Sequence, residues 1–250
     1  MLPWRRNRRT APSLEPATQA TTWQVVSLLL DYPDETLVER LPMLTDVVGE
    51  LPESIRMPLC RFLAHVTDVG LAEVQRDYVD TFDVTRRCCL HLTYFLHGDT
   101  RNRGAALVQI KQSYRRHGVE LSDDDAELPD HLTVVLEFGA TVDGPAAWKL
   151  LNDHRVGIEL LRRALNDKGS AWLDVVDALR ATLPVLAGDD EEALARLIAE
   201  GPPEELVGLS TELNAPYAID PGLDDLRQTG AQGHPHQPPG PTPVTIGARR

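Results

Sequence analysis

Apolar residues recur along this chain at helical spacing. Ile55, Leu59, Phe62, Leu63 and Val66 share one helix face, and Leu71, Val74 and Tyr78 continue it at i, i+3, i+7. Leu107, Ile110 and Tyr114 repeat the pattern, with Gly118 placed to close that helix. Leu132, Val135 and Leu136 predict a further face. The longest runs Ala147, Leu150, Leu151, His154, Ile158, Leu161, Leu165. Trp172, Val175, Val176, Leu179 and Leu183 follow, with Ser170 as N-cap, and Leu194, Leu197 and Ile198 form a short last helix before Gly201. Breaks fall at Asp31-Tyr32-Pro33, Leu51-Pro52 and Asp143-Gly144-Pro145. No period-two run or Asn-Gly hairpin signal interrupts this pattern. The expectation is an all-α, single-domain helical bundle over residues 21–200.

Both ends differ from that middle. Residues 1–20 carry Arg5, Arg6, Arg8 and Arg9 and read as a disordered basic arm. No apolar stretch follows those arginines, so an export signal is not expected. In residues 201–250, nine are proline and few are apolar, so this acidic tail is expected to be mostly disordered. The 42% apolar fraction suffices for a core built from Leu, Val and Ala, since aromatics are only 5%.

The net charge of −13 argues against a nucleic-acid binder, which needs cations to displace counterions from phosphates. It favours a basic partner. The apolar run Leu28-Leu29-Leu30 is too short to span a bilayer. Three cysteines, Cys60, Cys88 and Cys89, make no disulfide framework and suit a reducing cytoplasm.

The densest chemistry lies between Tyr78 and Phe138. Cys88, Cys89, His91 and His97 invite a metal reading, but adjacent helical residues point about 100° apart and no Cys-x-x-Cys is present, so no metal site is expected. One cysteine is expected to be buried and the other to sit at a helix edge. Asp130-His131 and Asp153-His154 are adjacent pairs, which on a helix do not face each other as a catalytic dyad would. His154 lies on an apolar face and reads as a satisfied core histidine. In Glu127-Leu128-Pro129-Asp130-His131-Leu132, Pro129 breaks the chain and Asp130 is placed to cap a helix starting at His131. Glu127 and His131 are left over, and both suit the mouth of a groove.

Taken together, these residues resemble the NarJ-type nitrate reductase assembly chaperones, within the redox-enzyme maturation chaperones that include the TorD and DmsD types. The resemblance rests on Tyr78-Val79-x-Thr81-Phe82-Asp83, Arg86-Arg87, Leu92-Thr93-Tyr94, Gly98-Asp99-x-Arg101-x-Arg103-Gly104, Lys111-x-x-Tyr114-Arg115, and Glu127 to Leu132 through Leu136-Glu137-Phe138. Upstream, Leu28 to Asp34 resembles the end of the family's first helix. Cys88-Cys89 and His91 stand where the family pattern has small or apolar residues.

The resemblance implies a TorD-like helical fold and a non-enzymatic chaperone. Such a protein binds the basic N-terminal segment of the apo catalytic subunit of a molybdenum nitrate reductase. It assists insertion of the molybdopterin cofactor and iron–sulfur clusters, delays membrane docking, and is no subunit of the mature enzyme. No cofactor is expected to stay bound, and the location implied is cytoplasmic. Tyr94, Asp99, Glu127, Asp130 and His131 are expected near the groove, with Leu128 and Leu132 giving apolar contact. Arg86, Arg87, Arg101 and Arg103, with Gly98, Gly104 and Pro129, are expected to brace it. Two alternatives stand beside this reading. One is a metal-dependent helical hydrolase using His91, His97, Asp130 and His131, and the other is a helical adaptor acting through its tail.

Overall fold

The stretch that ends in Leu28-Leu29-Leu30 becomes the central helix. Helix α1 (Pro16–Leu30) buries Trp23, Val25, Val26, Leu29 and Leu30, and also Gln19, Thr22 and Ser27. A helix apolar on nearly all sides must be surrounded by protein. Three of its buried polar groups are paired: Thr22 Oγ1 donates to the Thr18 carbonyl (2.8 Å), Trp23 Nε1 to Thr182 Oγ1 (3.0 Å) and Ser27 Oγ to the Thr133 carbonyl (3.1 Å), while the Gln19 amide nitrogen has no partner among the described residues. The computed structural model describes residues 13–98, 100–121, 127–186 and 188–200. The expectations for residues 1–12 and for the tail 201–250 lie outside the described residues. Residues 16–20, read from the sequence as part of the arm, are instead the first turn of α1. Pro16 suits a first helical position, where its missing N–H is not needed, and Gln19 points into the protein.

The remaining helices are α2 (Glu35–Gly49), α3 (Glu53–Val69), α4 (Leu71–Tyr78), α5 (Tyr94–His97), α6 (Arg101–Arg116), α7 (Leu132–Thr141), α8 (Gly144–Asp153), α9 (Arg155–Lys168), α10 (Trp172–Ala181) and α11 (Asp189–Glu200). The protein is all-helical, as expected. Helices α7, α10 and α2 pack on α1, with α3 behind α10 and α9 between α10 and α11. The α1–α7 crossing is close because position 139 is glycine. A Cβ there would stand 2.5 Å from the Ala147 Cβ and 2.7 Å from the Trp23 ring. Trp172 joins three elements: Phe62 of α3, Tyr78 of α4 and Phe82 lie with ring centroids 5.4, 5.6 and 5.4 Å away. Its Nε1 donates to the Leu29 carbonyl at 3.1 Å, near the end of α1.

Three sequence expectations shift. The long face from Ala147 to Leu165 belongs to two helices, not one. His154 breaks them apart with φ −113°, and its Nδ1 lies 2.9 Å from the Leu150 carbonyl. The ring is buried and paired, as a core histidine should be. Ser170 precedes α10 by two residues, and its Oγ accepts weakly from Trp172 N–H at 3.4 Å. Gly104, read as part of a turn, is inside α6, whereas Gly98 does take a positive φ of 56° at the end of α5.

Candidate partner-binding site

Helix α4 does not simply stop. After Tyr78 the chain widens into one π-helical turn, Val79–Asp83, closed by Val84 N–H donating to the Val79 carbonyl at 3.0 Å. A wider turn puts Val79 and Val84 out of phase with the buried face of α4 and leaves both exposed. Tyr32, just past α1, is exposed beside them, packed edge-on against Tyr78 at 5.4 Å. These residues, with Ala72, Gln75, Arg76 and Asp80, line an open groove of about 390 Å³.

Carboxylates from outside its lining stand near the groove. The Tyr78 hydroxyl, which donates to the Leu30 carbonyl at 3.2 Å, is pushed to a higher pKa first by burial and then by the nearby carboxylates of Asp31, Asp83 and Glu127. Asp31 and Asp83 are the chain neighbours of Tyr32 and Val84, which line the groove, and Glu127 acts on the same hydroxyl from a third segment. None has an ion pair among the described residues. The groove's other charges are matched: Arg76 pairs with Glu73, and Asp80 with Lys168 at 2.5 Å.

Next to Glu127 the chain turns inward. The segment after Cys88 runs extended, and Leu92 N–H donates to the Asp130 carbonyl (3.0 Å) while Leu132 N–H donates to the Leu90 carbonyl (2.9 Å). This is an isolated antiparallel bridge, His91 opposite His131, and it places the two imidazoles edge to face at 5.1 Å. Cys88, Leu90 and Leu92 all point inward. That alternation is the period-two signal that a reading for helices passes over.

Asp130 was expected to cap α7. It does not: the N-cap is His131, without a side-chain cap bond. The Asp130 carboxylate turns the other way and is fully buried, because Thr93 offers it two donors, N–H at 3.1 Å and Oγ1 at 2.5 Å. Arg103 of α6 sits 3.9 Å from Oδ2 and donates to Thr93 Oγ1 at 3.3 Å. His91 Nδ1 is 3.3 Å from Oδ1, but its N–H is not aimed there, so the contact is electrostatic. Burial alone would raise the Asp130 pKa. His91 and Thr93 outweigh it and hold the group at about 2. His131 goes down to about 4, chiefly because burial disfavours its charged form and then because His91 stands beside it. Its Nδ1 meets Thr133 Oγ1 at 2.6 Å. Tyr114 OH donates to the Pro129 carbonyl at 2.8 Å. The Pro-Asp-His corner is thus clamped from α5, α6 and α7, and the clamp presents Glu127 and Leu128 to solvent.

The expected site residues therefore separate. Glu127 and Leu128 are exposed, Pro129 is half-buried, and Asp130, His131 and Leu132 are buried, Leu132 wholly in the core. Leu132 thus has no surface for the apolar contact expected of it. Tyr94 is half-buried at the start of α5, stacked edge-on with Phe95 at 5.8 Å. Arg86 and Arg87 are exposed in a short 3-10 turn, and Arg101 is exposed on α6. Asp99 lies outside the described residues. Tyr32, Val79, Asp80 and Val84 were not anticipated. The clue was Val79 and Val84, which do not fit the 71–74–78 spacing.

Among the described residues no group of three His, Cys, Asp or Glu is placed to hold a metal. His91, Asp130 and His131 do meet, but Asp130 and His131 are buried, and His97 closes α5, its pKa lowered by burial. Cys88 is buried, with burial raising its pKa, and Cys89 is half-buried. None of the described helices is long and apolar enough to cross a membrane.

The helical fold is that of redox-enzyme maturation proteins. A crystal structure of such a protein from Archaeoglobus fulgidus superposes with a TM-score of 0.50 at 21% identity, covering 71% of this chain and 98% of the other. The chain belongs to the nitrate reductase delta subunit family, whose model matches residues 49–178, more than half of its length. It is 29% identical over 213 residues to the nitrate reductase molybdenum cofactor assembly chaperone NarJ of Escherichia coli K12, covering 83% of this chain and 89% of NarJ. A probable NarJ of Bacillus subtilis is 29% identical over 163 residues, 65% of this chain and 88% of that protein. The nitrate reductase-like protein NarX of Mycobacterium tuberculosis H37Rv is 35% identical over 160 residues, 64% of this chain but only 24% of NarX, so the match spans about a quarter of that longer protein. The NarJ relatives are named assembly chaperones rather than catalysts, and this chain is likewise not an enzyme. The hydrolase reading therefore falls.

Proposed function

We propose that this protein is a chaperone for a nitrate reductase, binding the basic N-terminal segment of the apo catalytic subunit in the groove beside Tyr32. The observation that carries the reading is the exposed apolar side chains of Tyr32, Val79 and Val84 lining one groove near the carboxylates of Asp31, Asp83 and Glu127, which have no ion pair among the described residues. A basic segment with apolar anchors complements both features. The buried Asp130 clamp holds Glu127 and Leu128 at the rim, so that acid is presented at fixed position rather than on a loose loop. Holding the segment in the cytoplasm keeps the apoenzyme open while its molybdenum cofactor and iron–sulfur clusters are inserted, and delays docking at the membrane. The chaperone itself keeps no cofactor and leaves before the enzyme matures. The NarJ relatives, named for this assembly step, support the reading.

Calorimetry tests it directly. Synthetic peptides of nitrate reductase catalytic-subunit N-termini, titrated into the full chain, are expected to bind in the micromolar range or tighter, more weakly as salt rises. Failure of every such peptide to bind at low salt would remove the reading.

A further inference from the structure

The chain contains a basic segment for which the chaperone reading has no use. Residues 1–12 include Trp4 and arginines 5, 6, 8 and 9, and no acid. That is the composition the groove at Tyr32 is suited to receive: an aromatic for Tyr32, Val79 and Val84, and cations for Asp31, Asp83 and Glu127, which have no ion pair among the described residues. The match is within one chain, so reach decides whether it is usable.

Helix α1 has 15 residues and separates the segment from the groove by about 22 Å at 1.5 Å per residue. An extended chain advances about 3.3 Å per residue. Residues 13–15 are placed, with Leu14 packed against the core, so the reach counts from Ser13: back to Arg9 it gives about 13 Å, too short, and back to Trp4 about 30 Å, which leaves slack to bend. Trp4, Arg5 and Arg6 are therefore the residues that reach.

We propose that the segment around Trp4, Arg5 and Arg6 docks in the Tyr32 groove of its own chain and competes there with the basic client peptide. The inference rests on the proposed client site and adds a built-in competitor. Tethering gives the segment an effective concentration in the millimolar range, so even a contact of about 0.1 mM intrinsic affinity fills the groove most of the time. A client must then displace it, which selects for peptides with better anchors than the chain's own.

Two proteins test this: the full chain, and the same full chain carrying Arg5→Glu, Arg6→Glu, Arg8→Glu and Arg9→Glu. All four positions precede the described residues. A fluorescent synthetic peptide of residues 1–12 is titrated into each and followed by anisotropy. The substituted chain is expected to bind it about tenfold more tightly, because its groove is vacant. Adding Asp83→Lys and Glu127→Lys is expected to abolish that gain. Equal affinity for the two chains, or no binding to either, overturns the self-docking. A catalytic-subunit N-terminal peptide, run in parallel, separates the two ideas. If it binds both chains equally, the competitor is absent and the client reading survives. If it binds neither while the 1–12 peptide still prefers the substituted chain, the client reading fails and the self-docking stands.

Discussion

Two buried carboxylates, Asp130 and Glu159, are held in opposite ways. Glu159 lies inside α9 with full cations around it. Its Oε1 accepts from Arg155, one turn earlier, at 2.6 Å and from Arg180 of α10 at 2.7 Å. Asp130 lies in a turn and is held mainly by the neutral donors of Thr93, with Arg103 at 3.9 Å and His91 at 3.3 Å. Its Oδ1 accepts no hydrogen bond. The first arrangement is a rivet between helices α9 and α10. The second fixes a corner from several sides, and the corner ends at the groove. A carboxylate compensated by neutral dipoles and a half-exposed imidazole is one whose surroundings respond to pH and partners.

The largest expected effects remove either carboxylate alone. Asp130→Ala removes the acceptor of both buried Thr93 donors, and Glu159→Ala removes the carboxylate beside the buried Arg155; each should cost about 3 to 5 kcal/mol in urea unfolding. Rescue distinguishes them. Arg155→Met with Glu159→Leu replaces a buried pair by apolar volume and should recover to within about 1 kcal/mol of the parent. Asp130→Ala with Thr93→Val should recover little, because the buried backbone N–H of Thr93 loses the acceptor it has in Asp130. Equal rescue at both sites would erase the distinction.

Titration separates the corner's two groups. His131 has a folded pKa near 4 against an ordinary 6.5, so between these values the unfolded chain binds a proton that the folded one does not. Stability therefore falls as pH drops from 6.5 to 4, by about 3 kcal/mol in all. Asp130 is depressed to about 2 from 3.8; its contribution is complete above 3.8 and is lost as pH falls to 2, about 2 kcal/mol. Glu159 is also depressed, first opposed by burial and then lowered by Arg180 and Arg155, so it adds loss only in the carboxylate range. His131→Gln should reduce the loss in the upper window, where His97 and His154, also lowered by burial, leave a residual slope, and should leave the lower window in place; denaturant midpoints across pH 7 to 2 report both.

The helices were legible because their faces are long and repeated, as in Ile55 to Val66 and Trp172 to Leu179. The break at His154 was not, because no proline or glycine marks it and its apolar spacing continues through. The corner was half legible. Glu127-Leu128-Pro129-Asp130-His131 stood out as residues, but local rules favour Asp130 as a cap, and only the tertiary approach of Thr93 turns its side chain inward. The groove was legible least: it depends on one π turn, which a helical pattern does not encode, bringing Val79 and Val84 beside Tyr32.

The smallest stability effects are expected at the groove, where the consequence for binding should be largest. Val84 is 68% exposed, so Val84→Lys removes little packing and should shift unfolding by less than about 0.5 kcal/mol. The same change puts a cation where an apolar anchor and a basic peptide must meet, and it should weaken catalytic-subunit peptides by about tenfold or more. Asp83→Lys should weaken them less and make the remaining binding less salt-dependent, because it removes charge attraction without removing apolar contact. The same pair of measurements on the Glu159 rivet should give the reverse: a large stability loss, with peptide affinity unchanged wherever the protein stays folded. Affinity that follows stability at both places would mean that the groove is merely surface. Affinity lost at Val84 with the fold intact would show that the acidic, apolar corner held by Asp130 is where the partner binds.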